Sequence, residues 1–533
     1  MINCISKKII SEMAKNILCL LLAVFLFIFS QPNQFYLTGI NFFAWLMLIP
    51  ILFIVFYCST LSSLIYGFIY GISVCILYAL WLLNYNKIAL FLVAIYEGVL
   101  YAIVFFLLKK SFDYFNKYTF IINCLIWCSF EYLRTIGFLG VNYGVIGYSQ
   151  WNNPVLLQSA SLFGVHGLNF ILVFPACFIF SLLVNNGKKI DFIKNYKFCL
   201  IGYITILTAL IVYGVVKLER PIKSDIQKTI CLVQNNIDTL DYYTNKNNKI
   251  LDSYTSLLTE KKIDYADVDL IVFPEDAVRP RILLNEDDVL PQDMYDDVLD
   301  YLNYFHSFDT PIVFGSTCLE YDKIRNGRFT YKAYNISCFL ENTIKSVPAN
   351  IKIYKKRHLV PFIEKFPFVN FYNSKFFNIS SCLSSGKNIA TFDLNDITFC
   401  TPICFEESFG YDVRRFMKNN PSFILSLSND LWSKSIECQY QHLSMEVFRA
   451  VENRLPFLRS SVSGQTVYIN QNGNVVDMLD PFTRGFLIVN VPMTRHPKRT
   501  LYSLMGDSIG LLSVFICALS FIKIIYKKRR EVK

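Results

Sequence analysis

The sequence predicts an α-helical multi-span membrane domain joined to a soluble domain of α/β or layered α–β–β–α type. Three observations carry this. Apolar residues make up 53% of the chain and charged residues 17%, a balance shifted toward the membrane class. The apolar excess is concentrated before residue 220 and near the C-terminus, while 225–495 reads as ordinary soluble protein. Within that soluble part, short apolar runs alternate with helical stretches, the pattern of strands covered by helices. The expected organisation is a membrane domain over 1–220, a soluble domain over 225–495, and a last span with a basic tail over 500–533.

Seven apolar stretches near 16–31, 38–58, 61–83, 88–108, 118–134, 160–184 and 197–217 approach the ~20 residues that cross a bilayer. An eighth, "DSIGLLSVFICALSFIKIIY", covers 507–526. The first and fifth are expected to be short, and the joint between the second and third is tight. The first span ends in "FIFSQPNQ", a poor small-residue cleavage site, and is read as a retained helix. Cations set the orientation. Lys7, Lys8 and Lys15 precede the first span, Lys109, Lys110 and Lys117 follow the fourth, and Lys188, Lys189, Lys194 and Lys197 follow the sixth. With the tail "YKKRREVK" they fall on one side if the N-terminus is cytoplasmic. Residues 220–505 then lie outside. The formal charge of +10 is accounted for by flanks touching anionic lipid, so the lipid bilayer is an expected partner. Nucleic acid is not, because the soluble part has no basic patch interleaved with aromatics.

Sixteen cysteines raise the question of disulfides or metal. Eight lie in or beside the spans, where they read as small apolar fillers. The soluble part holds Cys231, Cys318, Cys338, Cys382, Cys400, Cys404 and Cys438, an odd number without a C-x-x-C pair, and disulfides stay open. The five histidines are scattered and no H-E-x-x-H occurs, so no metal and no cofactor is expected.

The soluble part opens with a strand pattern, "KTICLVQNNID", then a polar helical stretch to about 262. Buried strands follow in "VDLIVFPEDAV", "TPIVFGSTCLE", "AYNISCFLE" and "SFILSLSNDLW", with helical stretches at 294–306 and 437–454. "IATFDLNDITF" reads as an edge strand leading into a buried one, and "LPFLRSSVSGQTVYINQNGNVVDML" as two strands with an N-G turn between them. Active groups in such folds gather where strands end. Three residues stand at such places: Glu275 after "LIVFP", Lys356 within "IYKKRHLVPFIEKF", and Cys404 after "CTPI". Singly each has an ordinary explanation: a Glu complementing a helix dipole, a solvated Lys, a core Cys.

Together they resemble the Glu–Lys–Cys set of the nitrilase (carbon–nitrogen hydrolase) superfamily, in that chain order. The motifs are "FPEDA", "YKKRHLVPFIE", "PICFE", "SNDLW" and "QHLSMEVFRAVENRLPFLR". With spans on both sides, and with "WCSFEYLR" and "GYSQ…GVHGLNFIL" in the membrane part, the whole chain is similar to the apolipoprotein N-acyltransferase family of bacterial inner membranes. The resemblance implies a periplasmic nitrilase-like α–β–β–α sandwich, a phospholipid acyl donor and a diacylated apolipoprotein acceptor. Its motif spacing selects Lys356 over Lys355, which is expected to be solvated. It also implies supporting roles for Glu364, Phe405 and Glu406, and substrate contacts for Tyr243 and Trp432. Glu406 is open between a supporting and a purely structural part. The chain departs from the family pattern at Ile363 (usually Gly), Phe405 (Tyr), Tyr243 (Trp) and "SSVSGQ" (an Asn-bearing turn).

The residue types fit that chemistry. A free thiol of pKa ~8.5 is mostly protonated at neutral pH and needs a base or a positive neighbour to attack. Glu275 is the expected base. Lys356 and the Phe405 backbone N–H are the expected donors to an oxyanion. A thioester on Cys404 would pass its acyl group to an amine in a transferase. In a membrane-tethered amidohydrolase, the alternative, it would pass it to water. A silent lipoprotein-binding scaffold would use none of the three.

Overall fold

The structure, a computed structural model, describes residues 2–115, 117–185, 189–237, 249–260, 267–283, 292–325, 328–341, 351–365 and 383–531. The chain forms two compact units. One comprises Met1–Arg220, Ser433–Phe448 and Leu504–Lys533; the other comprises Pro221–Trp432 and Arg449–Ser503.

In the first unit, helices occupy all eight apolar stretches: Ile2–Ser30, Leu48–Tyr57, Thr60–Tyr78, Lys87–Tyr114, Thr119–Leu133, Ala160–Val184, Lys189–Glu219 and Ser508–Glu531. Six are long and apolar enough to cross a membrane, whereas Asn41–Tyr57 and Thr119–Leu133 are shorter. The fifth stretch is short, as expected. The first is not, with a 20-residue apolar segment over Ser11–Ser30. The second is interrupted instead. A 3-10 turn covers Asn41–Trp45 and the helix restarts at Leu48, with Pro50 in its first turn, where a missing N–H costs nothing.

Lacking a hydrophobic drive between helices in lipid, such a bundle depends on close packing. The Thr60–Tyr78 helix carries Gly67 and Gly71, four apart, and lays them on the backbone of the Lys87–Tyr114 helix. A Cβ on Gly67 would come within 2.7 Å of the Tyr101 carbonyl oxygen, and one on Gly71 within 2.6 Å of that of Glu97. The segment Ser433–Phe448 is held within this unit by Gln441. Its Nε2 donates to the carbonyls of Pro32 (3.2 Å) and Tyr78 (2.9 Å), and its Oε1 accepts from Trp81 Nε1 at 2.9 Å.

The second unit is built on two sheets. The first contains β1 (Ile226–Gln234), β2 (Leu270–Val272), β3 (Val278–Leu283), β4 (Ile312–Arg325), β5 (Arg328–Leu340), β6 (Ile351–Lys355) and β13 (Gly485–Met493). The second contains β7 (Thr391–Leu394), β8 (Ile397–Cys400), β9 (Phe423–Ser428), β10 (Phe457–Ser461), β11 (Val467–Ile469) and β12 (Val475–Met478). Their orders are β13-β1-β2-β4-β5-β6, with β3 beside β4, and β12-β11-β10-β9-β8-β7. The centres are parallel, β1–β2–β4 in one sheet and β8–β9–β10 in the other. Parallel strands buried on both faces read as continuous apolar runs, which is why "LIVF" and "FILSLS" were legible.

The sheets face one another. Phe339 of β5 lies 5.5 and 5.4 Å, ring to ring, from Phe392 and Phe399. Ser460 Oγ of β10 donates to the Val233 carbonyl of β1 at 2.8 Å. Helices Lys249–Glu260 and Gln292–His306 cover the first sheet through Tyr254 and Phe305, both on Phe273. In the chain, the Gly410–Phe416 helix follows β8 and the Ile436–Asn453 helix follows β9. The result is an α–β–β–α sandwich. One strand reading needs correction: "LPFLRSSVSGQTVYIN" is two strands, not one. Thr466 Oγ1 accepts from the Ser461 N–H (3.2 Å) and Ser461 Oγ from the Gly464 N–H (2.9 Å), closing a turn that competes with strand continuation.

The glycine contact gives a direct expectation. Gly71→Leu should destabilise the detergent-solubilised protein by about 1–3 kcal/mol through overpacking, read as a lower thermal midpoint. Gly202→Ala, inside a helix where a Cβ meets open space, should leave the midpoint unchanged or slightly higher, because Ala is the better helix former.

Candidate active site

The three strand-end residues converge in the second unit. Glu275 lies three residues past β2, in a turn whose next residue, Asp276, has φ +56°. β4 passes directly behind this turn, because a Cβ on Gly315 would lie 2.6 Å from the Glu275 Cα. Only glycine permits that approach. Lys356 follows β6, and its N–H bonds the Asn335 carbonyl at 2.8 Å. Gly386 closes the other side, its N–H on the Lys356 carbonyl at 2.8 Å. Cys404 follows the short extension of β8, where Ile403 bridges Leu427 of β9. Its φ is +50°, a strained conformation for a side chain larger than hydrogen. Such strain places the thiol at the head of the Cys404–Ser408 turn rather than in the sheet.

The Lys356 ammonium is fully buried and sits between two carboxylates, 3.0 Å from Glu364 Oε1 and 3.5 Å from Glu275 Oε1. Burial opposes its charge, but Glu364 and then Glu275 outweigh burial and hold it well above the ordinary lysine range. Burial pushes Glu275 up to about 7, against the pull of Lys356. That is the range suited to a general base at neutral pH. Burial and the Glu275 charge also push the Cys404 thiol up, while Lys356 draws it down. The resting sulfur is therefore a neutral thiol with a base and a cation close by.

Glu364 meets the Lys356 ammonium through Oε1. Its other oxygen accepts from the Val360 N–H at 2.8 Å, fixing the loop that carries it. Glu406 is a strap. One oxygen accepts from the Tyr354 hydroxyl (2.9 Å) and from the N–H groups of Arg357 (2.7 Å) and His358 (2.9 Å). The other accepts from the Ile403 N–H at 2.9 Å. It ties the loop after Lys356 to the residue before Cys404. The Phe405 ring packs at 5.6 Å from His358 and 4.9 Å from Phe409, a setting that needs no hydroxyl. Trp432 lies in the turn Leu431–Ser433, beyond β9. Tyr243 lies outside the described residues.

One expectation fails. Lys355 is not merely solvated: its Nζ is 2.9 Å from Glu320 Oε2 and 4.3 Å from the Tyr334 ring centroid. On β6 it points away from Tyr354 and Lys356 because strand side chains alternate.

Two family models match this chain. One described as carbon-nitrogen hydrolase covers residues 229–496, and one described as apolipoprotein N-acyltransferase N-terminal domain covers residues 19–178. Apolipoprotein N-acyltransferase 1 of Treponema denticola is 34% identical, over 97% of this chain and 98% of its own length. The chain belongs to the apolipoprotein N-acyltransferase family. It is an acyltransferase of the nitrilase superfamily, with apolar helices joined to a nitrilase-like domain. Apolipoprotein N-acyltransferase 1 of Treponema pallidum is 32% identical, over 94% of each chain. Among solved structures, Nit3 of Saccharomyces cerevisiae, from branch 10 of the nitrilase superfamily, aligns at 17% identity and a TM-score of 0.37. That alignment covers 53% of this chain and 94% of that one.

Asn335 was missed in the sequence. Its Nδ2 donates to Glu275 Oε1 (2.7 Å) and Glu364 Oε1 (3.2 Å), joining the two acids that flank the lysine. The available signal was an amide inside the apolar strand "AYNISCFLE", where a buried polar group needs partners.

Two outcomes test Glu275 as the base for the Cys404 thiol and Glu406 as the strap. Protonated Glu275 cannot accept the thiol proton. Acylation of Cys404 by a short-chain p-nitrophenyl ester should therefore fall about tenfold per pH unit below about 7 and level off above it. Glu275→Gln should abolish that dependence together with the reaction. Glu406→Gln turns an NH2 toward N–H donors and leaves buried groups unpaired at ~1–3 kcal/mol each. A lowered thermal midpoint with slower acylation is the expected result.

Proposed function

We propose that this enzyme transfers an acyl chain from a membrane phospholipid to the free N-terminal amine of the diacylglyceryl-cysteine of apolipoproteins, by a ping-pong route through a thioester on Cys404. The observation that carries it is the buried Lys356 ammonium set between Glu275 and Glu364, with the Cys404 thiol under the influence of both Glu275 and Lys356. In the first half-reaction Glu275 takes the Cys404 proton as Sγ attacks the ester carbonyl. Lys356 and the Phe405 N–H stabilise the oxyanion. Collapse breaks the C–O bond, and the lysophospholipid oxygen leaves with the proton returned by Glu275. In the second, Glu275 takes a proton from the incoming amine, the nitrogen attacks the thioester, and the sulfur leaves and recovers the proton.

A thioester within reach of water would hydrolyse, so a transferase gains from a dry site and lipid-anchored substrates. The membrane helices favour transfer over the water-directed alternative. With the lysine-rich loops cytoplasmic, the reaction would take place on the periplasmic side of a bacterial inner membrane. Trp432 and Tyr243 are then candidates for substrate contact.

The test uses radiolabelled phospholipid and a diacylated lipopeptide. Phospholipid alone should leave a hydroxylamine-labile acyl group on Cys404. Adding the lipopeptide should move the label into an amide. Lys356→Ala should slow adduct formation ~10²–10³-fold, and Lys355→Ala should not. Label on Cys400, or released only as free fatty acid when the lipopeptide is present, would refute the transferase route.

A further inference from the structure

A second buried ionic cluster lies in the second unit, apart from the Glu275–Lys356–Glu364 set. Arg459 of β10 is fully buried. Its Nη2 hydrogen-bonds Asp430, and its Nη1 lies 3.6 Å from Glu407 Oε1. The backbone brings both acids toward the thiol. Glu407 sits on the Cys404–Ser408 turn itself. Ile403 bridges Leu427, so Cys404 abuts the end of β9. Asp430 lies two residues beyond Ser428, whose hydroxyl it accepts at 3.2 Å. Arg459 is paired in register with Ser426 of β9, which delivers the guanidinium to the same strand end from the neighbouring strand.

Four charged groups thus bear on the sulfur: Glu275, Lys356, Asp430 and Glu407. Three are acids, which oppose a thiolate, and Lys356 favours one. A negative charge on Sγ would meet the bare field of Asp430 and Glu407 if nothing neutralised them. We propose that Arg459 is a positioning residue of this site, which offsets part of the negative charge of Asp430 and Glu407 so that negative charge can form more readily on the Cys404 sulfur. It touches neither the sulfur nor a substrate in this role. The proposal rests on Cys404 being the nucleophile.

Its test reads the thiol directly. The rate at which iodoacetamide alkylates Cys404 in the full-length, detergent-solubilised protein is followed by peptide mass spectrometry from pH 6 to 10. The thiolate is the reactive species, so the rate at a given pH on the rising limb reports how readily charge forms on sulfur. Arg459→Gln should label at least about tenfold more slowly at each pH, the effect of one unit of alkaline shift. Arg459→Lys should restore most of the rate, and Asp430→Asn, which removes one acid, should raise it, an acid shift of the profile.

Removing one partner of a buried pair is strongly destabilising. If Arg459→Gln does not fold, Asp430→Asn decides alone, since its profile must move toward acid. An unmoved or alkaline-shifted profile for Asp430→Asn, or a folded Arg459→Gln with the native profile, overturns the proposal. Iodoacetamide needs neither phospholipid nor lipopeptide, so the result is independent of whether acyl transfer occurs.

Discussion

A single buried carboxylate, Glu406, fixes the distance between the two loops that make the site. It takes four donors from three places: the Tyr354 hydroxyl on β6, two backbone N–H groups just past Lys356, and the N–H just before Cys404. Lys356 belongs to a loop leaving one sheet and Cys404 to a loop leaving the other. No ladder of backbone hydrogen bonds crosses between facing sheets, which pack through side chains at ~10 Å. The strap must therefore be a side chain. A carboxylate has enough lone pairs for four donors, and a glutamine does not. His358 adds to the same join, stacked on Phe409 at 3.8 Å and bonded through Nδ1 to Asp412 Oδ2 at 2.8 Å.

Around that join, charge is arranged in sets of one cation between two acids. Isolated ions are costly to bury, so buried charges come paired. Lys356 lies between Glu275 and Glu364, and Arg459 lies between Asp430 and Glu407. Asn335 spans the two acids of the first set as a neutral donor, which keeps their oxygens satisfied without adding a second positive charge. A second cation there would draw Glu275 down and weaken it for the proposed role of base. The amide is the group that preserves a carboxylate near neutrality.

Much of this was legible in the sequence, and the physical reason is local. Strand ends announce themselves by apolar runs that stop at polar residues, so Glu275 and Cys404 stood out from the pattern alone. Lys356 could have been separated from Lys355 without any family motif, because alternation along β6 and just past its end sends Lys355 to one side and Tyr354 and Lys356 to the other. The partner of each group was not legible. Asn335, Glu406 and Arg459 act on residues 60, 49 and 29 positions away, and sequence periodicity says nothing at such separations. The interrupted second membrane helix was missed for a different reason: hydropathy measures apolarity, and a 3-10 turn of Asn41–Trp45 is apolar without being a continuous helix.

The raised thiol of Cys404 is at first sight at odds with a nucleophile, since many reactive cysteines lie low and rest as thiolates. Here a thiolate would be buried beside the Glu275 charge, with Asp430 and Glu407 only partly offset by Arg459, and would be disfavoured in the absence of substrate. A neutral thiol is cheap to hold in a dry site and inert to stray electrophiles. In the proposed reaction the proton leaves for Glu275 only as the sulfur bonds to carbon. The negative charge then passes at once to the ester oxygen, where Lys356 is already charged and already fixed. The cost of ionising sulfur is met only in the presence of an acyl donor, because only then is there an oxyanion to receive the charge. On this view the site is built to stabilise the charge after it has left the sulfur, which is where a preorganised ammonium contributes to rate and not merely to binding.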